Sequence, residues 1–242
     1  MRVGIMNRFA KKKMPKKILI TRDKESSVNT QNKLKENNFK SEILPLSEIE
    51  PLIISLPEAP DITAIIFTSR NALKTKEIEF WRDINKKVFF YIIGESLAEK
   101  LIKNSIYNFH SFDTVEDLIY HLSDKRIDSR YLYLRGEKVS YSLKRVLSSN
   151  IIEKICYRVR YKDVNAEEIK NFIYENEITD LLFFSYLNAQ NFIEKIGDNP
   201  SWLYKYNIFC LSKKISTLFT DKRFEKVFHP KKPNLSSLLK IL

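Results

Sequence analysis

Ile62–Leu73, ITAIIFTSRNAL, is an apolar run that stops at two hydroxyls, Thr68 and Ser69, and passes into residues suited to the first turn of a helix. Asp180–Phe192, DLLFFSYLNAQNF, repeats the plan, with Ser185 in the place of Ser69 and with Asn188, Ala189 and Phe192 opening the helix. Apolar runs without polar alternation suit strands buried on both faces, as in a parallel sheet covered by helices on each side. Ligands of such sheets bind beyond the carboxyl ends of the strands, so these hydroxyls stand where chemistry is usually placed.

Outward from these stretches the chain repeats itself. Lys17–Thr21, KILIT, with Arg22 at its exit, matches Tyr131–Leu134 closed by Arg135 and Gly136. Val88–Ile93, VFFYII, with Gly94 as a sharp exit, matches Ile208–Leu211 with Ser212. Thr114 caps an amphipathic helix with Asp117 at the capping-box position, and its counterpart is Asn234, which caps Leu235–Leu242. Other helices are expected from Ser26 or Ser27 to Leu34, onward from Leu73 to about Trp81, and over Glu95–Ile102, Val139–Leu147 and Ala166–Tyr174; Phe39–Leu46 and Ser105–Phe109 read as strands.

Two extended segments interrupt the order. Ser47–Leu52, SEIEPL, holds Pro51 and suits a connector or an edge strand. Glu153–Tyr161, EKICYRVRY, changes halfway from continuous apolar to alternating, as a strand does on leaving a two-sided core. Two equivalent connectors favour exchange of the first strand-helix-strand units between the copies. The expected division is a discontinuous domain of residues 16–46 and 163–242, a second of 54–157, a two-stranded hinge from 47–53 and 158–162, and a basic extension over 1–15 outside the fold.

The 242 residues carry 42 Lys and Arg against 30 Asp and Glu, a formal charge of +12 that points to an anionic partner. The plainer reading is a Lys-, Ile- and Asn-rich composition with most lysines simply solvated. Cys156 and Cys210 each sit in an apolar strand-like segment, which suits buried thiols in a reducing compartment, so a cytoplasmic protein is expected. His110, His121 and His229 lack ligand spacing, so no metal is expected, and four glycines form neither GxGxxG nor GxxxxGK. Aromatics lie within apolar strands rather than between exposed cations, which argues against nucleic acid. No run is long enough for a membrane, and MRVGIMNRFAKKKMPKK lacks the apolar middle of a signal peptide.

The ordered set ILITR, PLSEIEPL, IIFTSRNAL, YIIGESLAEKL, LYLRGE, the Tyr157 strand and a closing helix behind FHP resembles the uroporphyrinogen-III synthase family over about Lys16 to Leu242. The resemblance implies two flavodoxin-like α/β domains joined by a two-stranded ladder, with the active cleft between them. It implies a monomer that closes hydroxymethylbilane, a linear polycarboxylate tetrapyrrole, into uroporphyrinogen III with inversion of ring D and loss of water, without metal or cofactor. Tyr157 is then the phenol that donates a proton or hydrogen bond to the departing hydroxyl. Thr68, Ser69, Gly94, Ser96, Arg135, Gly136, Ser185 and Ser212 become a distributed carboxylate receptor of hydroxyls, turn amides and helix N-termini.

The sequence departs from the family pattern at several of these points. Leu97 and Ile215 stand where threonine is usual, which passes hydroxyl contacts to Ser96 and Ser216. Ser212, Lys213 and Lys214 replace a glycine and small residues, and Ser140 replaces an arginine, with Lys138 and Lys144 as substitutes. Plainer roles exist as well: helix capping for Thr68, Ser69 and Ser185, solvated strand-end charges for Arg22 and Arg135, and packing between connectors for Tyr157. Gly136 favours Arg135 over Arg22 as a contact, because glycine lets a ligand approach the backbone. The alternative function is a non-catalytic two-domain module closing around a polyanionic small molecule.

Overall fold

The computed structural model describes residues 16–55, 62–73, 83, 88–123, 130–139, 141–147, 150–198 and 200–242. The expected extension over 1–15, the helical segment over 74–82 and Ser140 lie outside the described residues.

The apolar runs form two sheets. In the first, β1 (Lys17–Ile20), β2 (Lys40–Ile43), β9 (Asp180–Phe183), β10 (Asn207–Cys210) and β11 (Val227–Phe228) lie in the order β2-β1-β9-β10-β11, all parallel. In the second, β3 (Ser47–Pro51), β4 (Ala64–Phe67), β5 (Phe89–Ile93), β6 (Phe109–Phe112), β7 (Tyr131–Gly136) and β8 (Ile151–Tyr161) lie in the order β3-β8-β7-β4-β5-β6. Every pairing there is parallel except β3 with β8, where Ser47 faces Tyr161 and Pro51 faces Tyr157 in antiparallel register. Laid one on the other, β2-β1-β9-β10-β11 and β8-β7-β4-β5-β6 run in the same order.

Continuous apolar character does what a two-sided sheet requires. Ile65 and Phe67 pack on one face with Phe90, Ile92, Leu132 and Leu134, while Ala64 and Ile66 pack on the other with Tyr91, Tyr131 and Tyr133. Leu19, Leu181, Phe183 and Ile208 divide from Ile18, Ile20, Leu182 and Phe209 in the same way in the first sheet. Each such Ile, Leu or Phe contributes roughly 1.5–3 kcal/mol by leaving water. Among the described residues the buried carboxylate is Asp180, which lies where β9 begins and accepts from Thr179 Oγ1 and, at 2.7 Å, from Asn207 Nδ2. A buried carboxylate needs such donors, and these fix the level of β9 against its neighbours.

The covering helices are α1 (Lys24–Glu36), α2 (Glu95–Lys103), α3 (Val115–Ser123), α4 (Lys144–Leu147), α5 (Ala166–Glu175), α6 (Tyr186–Ile196), α7 (Lys213–Thr220) and α8 (Leu235–Leu239). Thr114 and Asp117 make the expected reciprocal bonds at the start of α3, and Asn234 Oδ1 accepts from Ser237 N at 2.8 Å at α8. Asn165 and Glu168 form a further capping box at α5 that the sequence reading passed over.

Other elements differ from expectation for local reasons. The cap of α1 is Asp23, which accepts from Ser26 N at 2.9 Å, so Ser26 and Ser27 are buried inside the helix instead of starting it. β6 starts at Phe109 rather than Ser105, because Ser105 takes φ 60° in the turn after α2 and Ile106 drops into the core. β7 runs through Arg135 and Gly136 instead of stopping before them, since β8 bulges beside it: Arg135 pairs with Ile155 and Gly136 with Tyr157. The helix expected from Val139 is formed over Lys144–Leu147.

Candidate active site

β4 ends at Phe67, and the next two residues continue its alternation. Thr68 projects to the face of Ile66 and Tyr133, and its Oγ1 lies 2.8 Å from the Tyr133 hydroxyl. Ser69 projects to the opposite face, toward Tyr157, and its hydroxyl draws the phenol's pKa down against the larger, raising effect of burial. The same Ser69 oxygen accepts from Asn71 N at 3.3 Å and caps the short turn Arg70–Ala72, so capping and contact with Tyr157 coexist. Two phenols thus flank the exit of one strand on its two faces. Both are buried, Tyr133 to 2% exposure and Tyr157 to 8%, and burial pushes both up in pKa, Tyr133 to about 12. At neutral pH each is a proton-bearing phenol.

Gly136 sits directly beneath the Tyr157 ring. A Cβ there would stand 2.7 Å from Cζ, inside contact distance, so the space expected for a ligand is filled by the phenol itself. Arg135 beside it is turned inward. Its guanidinium pairs with Glu153 at 3.2 Å and donates to the carbonyls of Gly136 at 2.9 Å and Glu137 at 3.0 Å. In this arrangement it braces the bulge, and the bulge aims Tyr157.

The remaining candidates lie at strand ends and helix starts. Gly94, with φ 88°, turns β5 sharply into α2, and no side chain caps that helix. Ser96 is exposed in its first turn. Ser212 precedes α7 without a side-chain cap bond, whereas Ser185 accepts from Asn188 N at 3.4 Å at the start of α6. Gly94 and Ser212, matched in the repeat, therefore share helix amides that no side chain satisfies, which suit carboxylates. Among the described residues no hydrogen bond links Ser185 or Ser212 to Tyr157.

Arg22, Asp23 and Glu25 bring the carboxyl rim of the first sheet against that of the second. Glu25 meets Arg70 at 3.4 Å, and Lys33 of α1 meets Glu99 of α2 at 2.7 Å. The charge of Asp23 is felt at the Tyr157 phenol. Arg22 is half-buried, 4.5 Å over the Phe184 ring, and burial lowers its pKa to about 10, which leaves it charged at neutral pH. The site is thus a seam of hydroxyls, phenols and guanidinium groups between two carboxyl rims, chemistry suited to a polycarboxylate. Among the described residues no cluster of His, Cys, Asp and Glu could hold a metal, and no helix is long and apolar enough to cross a membrane.

A family model described as uroporphyrinogen-III synthase HemD matches residues 28–240. The chain belongs to the uroporphyrinogen-III synthase family. It is a lyase that cyclises hydroxymethylbilane in tetrapyrrole biosynthesis. Its fold is similar to that of uroporphyrinogen-III synthetase from Helicobacter pylori, at 18% identity and TM-score 0.58 over 94% of this chain and 98% of that one. A mutant uroporphyrinogen III synthase from Thermus thermophilus is similar at 13% identity and TM-score 0.52, over 93% and 96%. No curated protein matches the chain.

Against the uroporphyrinogen-III synthase pattern, the departures have visible consequences. Leu97 and Ile215 are buried in the two cores, so the side chains at those positions feed packing instead of the seam. Ser216 does not replace the lost hydroxyl at Ile215: it is buried and donates to Lys213 O at 2.8 Å. Tyr133, Arg70 and Glu25 were not singled out from sequence. The first is hidden in an apolar run and the others are joined only by the fold.

Proposed function

We propose that Tyr157 assists departure of the hydroxyl from hydroxymethylbilane, while the two rims hold the substrate's carboxylates and force attack at the ring D carbon that gives the inverted product, uroporphyrinogen III. The observation that supports this reading is the placement of the Tyr157 phenol: buried, protonated at neutral pH, and beside Ser69 at the carboxyl end of β4. Such a phenol donates to the leaving oxygen as the carbon–oxygen bond breaks, and water departs with the proton while the pyrrole nitrogen's electron pair stabilises the cation left behind. Ring closure then restores the neutral macrocycle by loss of a ring proton.

Carboxylate binding falls to Thr68 and Ser69, to the uncapped starts of α2 at Gly94 and Ser96 and of α7 at Ser212, and to Ser185. Gly136 acts by making room for Tyr157, and Arg135 by holding the bulge beneath it. A net charge of +12 adds long-range attraction for a polyanion. The two sheets with their helices are read as two domains, residues 16–46 with 163–242 and residues 54–157, hinged at the antiparallel pair β3–β8. The buried thiols Cys156 and Cys210 support a cytoplasmic location, and the protein is read as a monomer that engages neither nucleic acid nor membrane. Incubation of the purified protein with enzymatically generated hydroxymethylbilane, followed by isomer analysis, tests the reading: uroporphyrinogen III is expected in excess of the non-inverted isomer.

A further inference from the structure

The Tyr133–Thr68 contact has a direction that the chemistry of the two groups decides. Tyr133 lies level with Ile66 in the β4–β7 register, and its ring is packed among Ala64, Ile66, Tyr91 and Leu143. Its hydroxyl reaches the end of the strand and meets Thr68 Oγ1 at 2.8 Å. A buried phenol needs a partner for its proton, and among the described residues Thr68 Oγ1 is the acceptor in reach. The phenol is the better donor of the pair and the aliphatic hydroxyl the better acceptor. With Tyr133 donating, the Thr68 oxygen is held in one rotamer and its own proton points away from the core.

We propose that Tyr133 is a positioning residue for the cyclisation: by donating to Thr68 Oγ1 it turns the Thr68 hydroxyl into a fixed donor for a substrate carboxylate. This rests on the reading of Thr68 as a substrate contact. Burial supports the direction, since it keeps Tyr133 protonated far above neutral pH. Without the phenol, Thr68 rotates among staggered positions and satisfies its proton elsewhere, so the carboxylate loses a prepared donor. Binding suffers, and bond breaking at Tyr157, on the opposite face of the strand end, is left in place.

The test is a double-mutant cycle read as KM against kcat for uroporphyrinogen III formation. Tyr133→Phe is expected to raise KM by roughly three- to tenfold, the scale of one neutral hydrogen bond, with kcat changed less than twofold. Thr68→Ala is expected to raise KM similarly, and Tyr133→Phe added to it to have no further effect. Thr68→Ser, which keeps the acceptor and the donor, is expected to retain the parent KM. An unchanged KM for Tyr133→Phe where Thr68→Ala raises it, or effects that simply multiply, overturns the role of Tyr133 alone. An unchanged KM for Thr68→Ala removes Thr68 from the substrate contacts and the positioning role with it. Should Tyr133→Phe not fold, Thr68→Val decides: a retained parent KM overturns the role, since Val has no hydroxyl to position.

Discussion

The ring of Tyr157 occupies the side-chain space of Gly136: a Cβ on that glycine would lie 2.7 Å from Cζ, 2.8 Å from Cε2 and 2.9 Å from the phenol oxygen. Gly136 has no left-handed φ, so alanine there meets no backbone strain and the conflict is wholly with the phenol. Gly136→Ala is expected to push the ring aside, away from Ser69, and slow formation of the inverted isomer roughly 10–100-fold. The contrast is Gly94→Ala, which meets open space but takes φ 88°, and is expected to cost on the order of 1 kcal/mol of stability. Isomer-resolved rates and thermal melts check both, and a parental rate for Gly136→Ala contradicts the packing argument.

Substrate holding is spread over many groups, so single losses are small. Ser69→Ala and Ser185→Ala are each expected to weaken binding by on the order of 1 kcal/mol. Raising salt screens every carboxylate contact together and is expected to exceed either change. Titration of a product-like tetrapyrrole at low and high salt reads this directly, and salt-independent affinity contradicts a polyanion receptor.

The rims touch through exposed ion pairs, Arg70 with Glu25 and Lys33 with Glu99. Each such pair is worth under about 1 kcal/mol, too little to keep a cleft shut against solvent. Glu25→Gln with Glu99→Gln is therefore expected to leave the small-angle scattering envelope of the free protein nearly unchanged, and a product-like tetrapyrrole to compact parent and variant alike. Identical profiles with and without saturating ligand count against closure at β3–β8.

Burial raises the Tyr133 phenol to about 12 from an ordinary value of 10.0, which couples folding to alkaline pH. Between those values the unfolded chain loses this proton and the folded one keeps it, so the stability it contributes is complete below pH 10 and lost as pH rises toward 12. Denaturant unfolding of the parent and of Tyr133→Phe is expected to show the parent losing stability faster in that window, by up to about 1.4 kcal/mol per pH unit. Parallel curves contradict a buried, protonated Tyr133. Arg22, lowered to about 10, shifts both proteins alike.

The two-faced strands were legible because the runs AIIF over 64–67 and LLF over 181–183 are apolar throughout, as a sheet covered on both sides requires. Strand-end hydroxyls were legible for the same reason, since burial ends there, whereas the first half of EKICYRVRY is not the buried run expected: Glu153 and Lys154 are half-buried, Ile155 is exposed, and only Cys156 and Tyr157 are buried. What was not legible depends on contacts between distant residues. Nothing local says that Gly136 accommodates the Tyr157 ring, that Arg135 turns to Glu153, or that Tyr133 reaches Thr68. The cap of α1 was misplaced because serines outnumber the single Asp23 that caps it, and β6 because Ser105 adopts a left-handed turn that composition does not demand.

On the proposed reading, Tyr157 assists loss of the hydroxyl within a cleft that dictates which carbon of ring D is attacked. Hydroxymethylbilane can close unaided to the non-inverted isomer, so the informative quantity is the isomer ratio as a function of time, measured for the parent and for Tyr157→Phe. The parent is expected to give mainly uroporphyrinogen III. The variant is expected to form it up to roughly 10²–10⁴-fold more slowly, with most of the remaining product non-inverted. A phenylalanine variant matching the parent in both rate and ratio contradicts the role of the phenol, and a parent protein that yields only the spontaneous isomer contradicts the account as a whole.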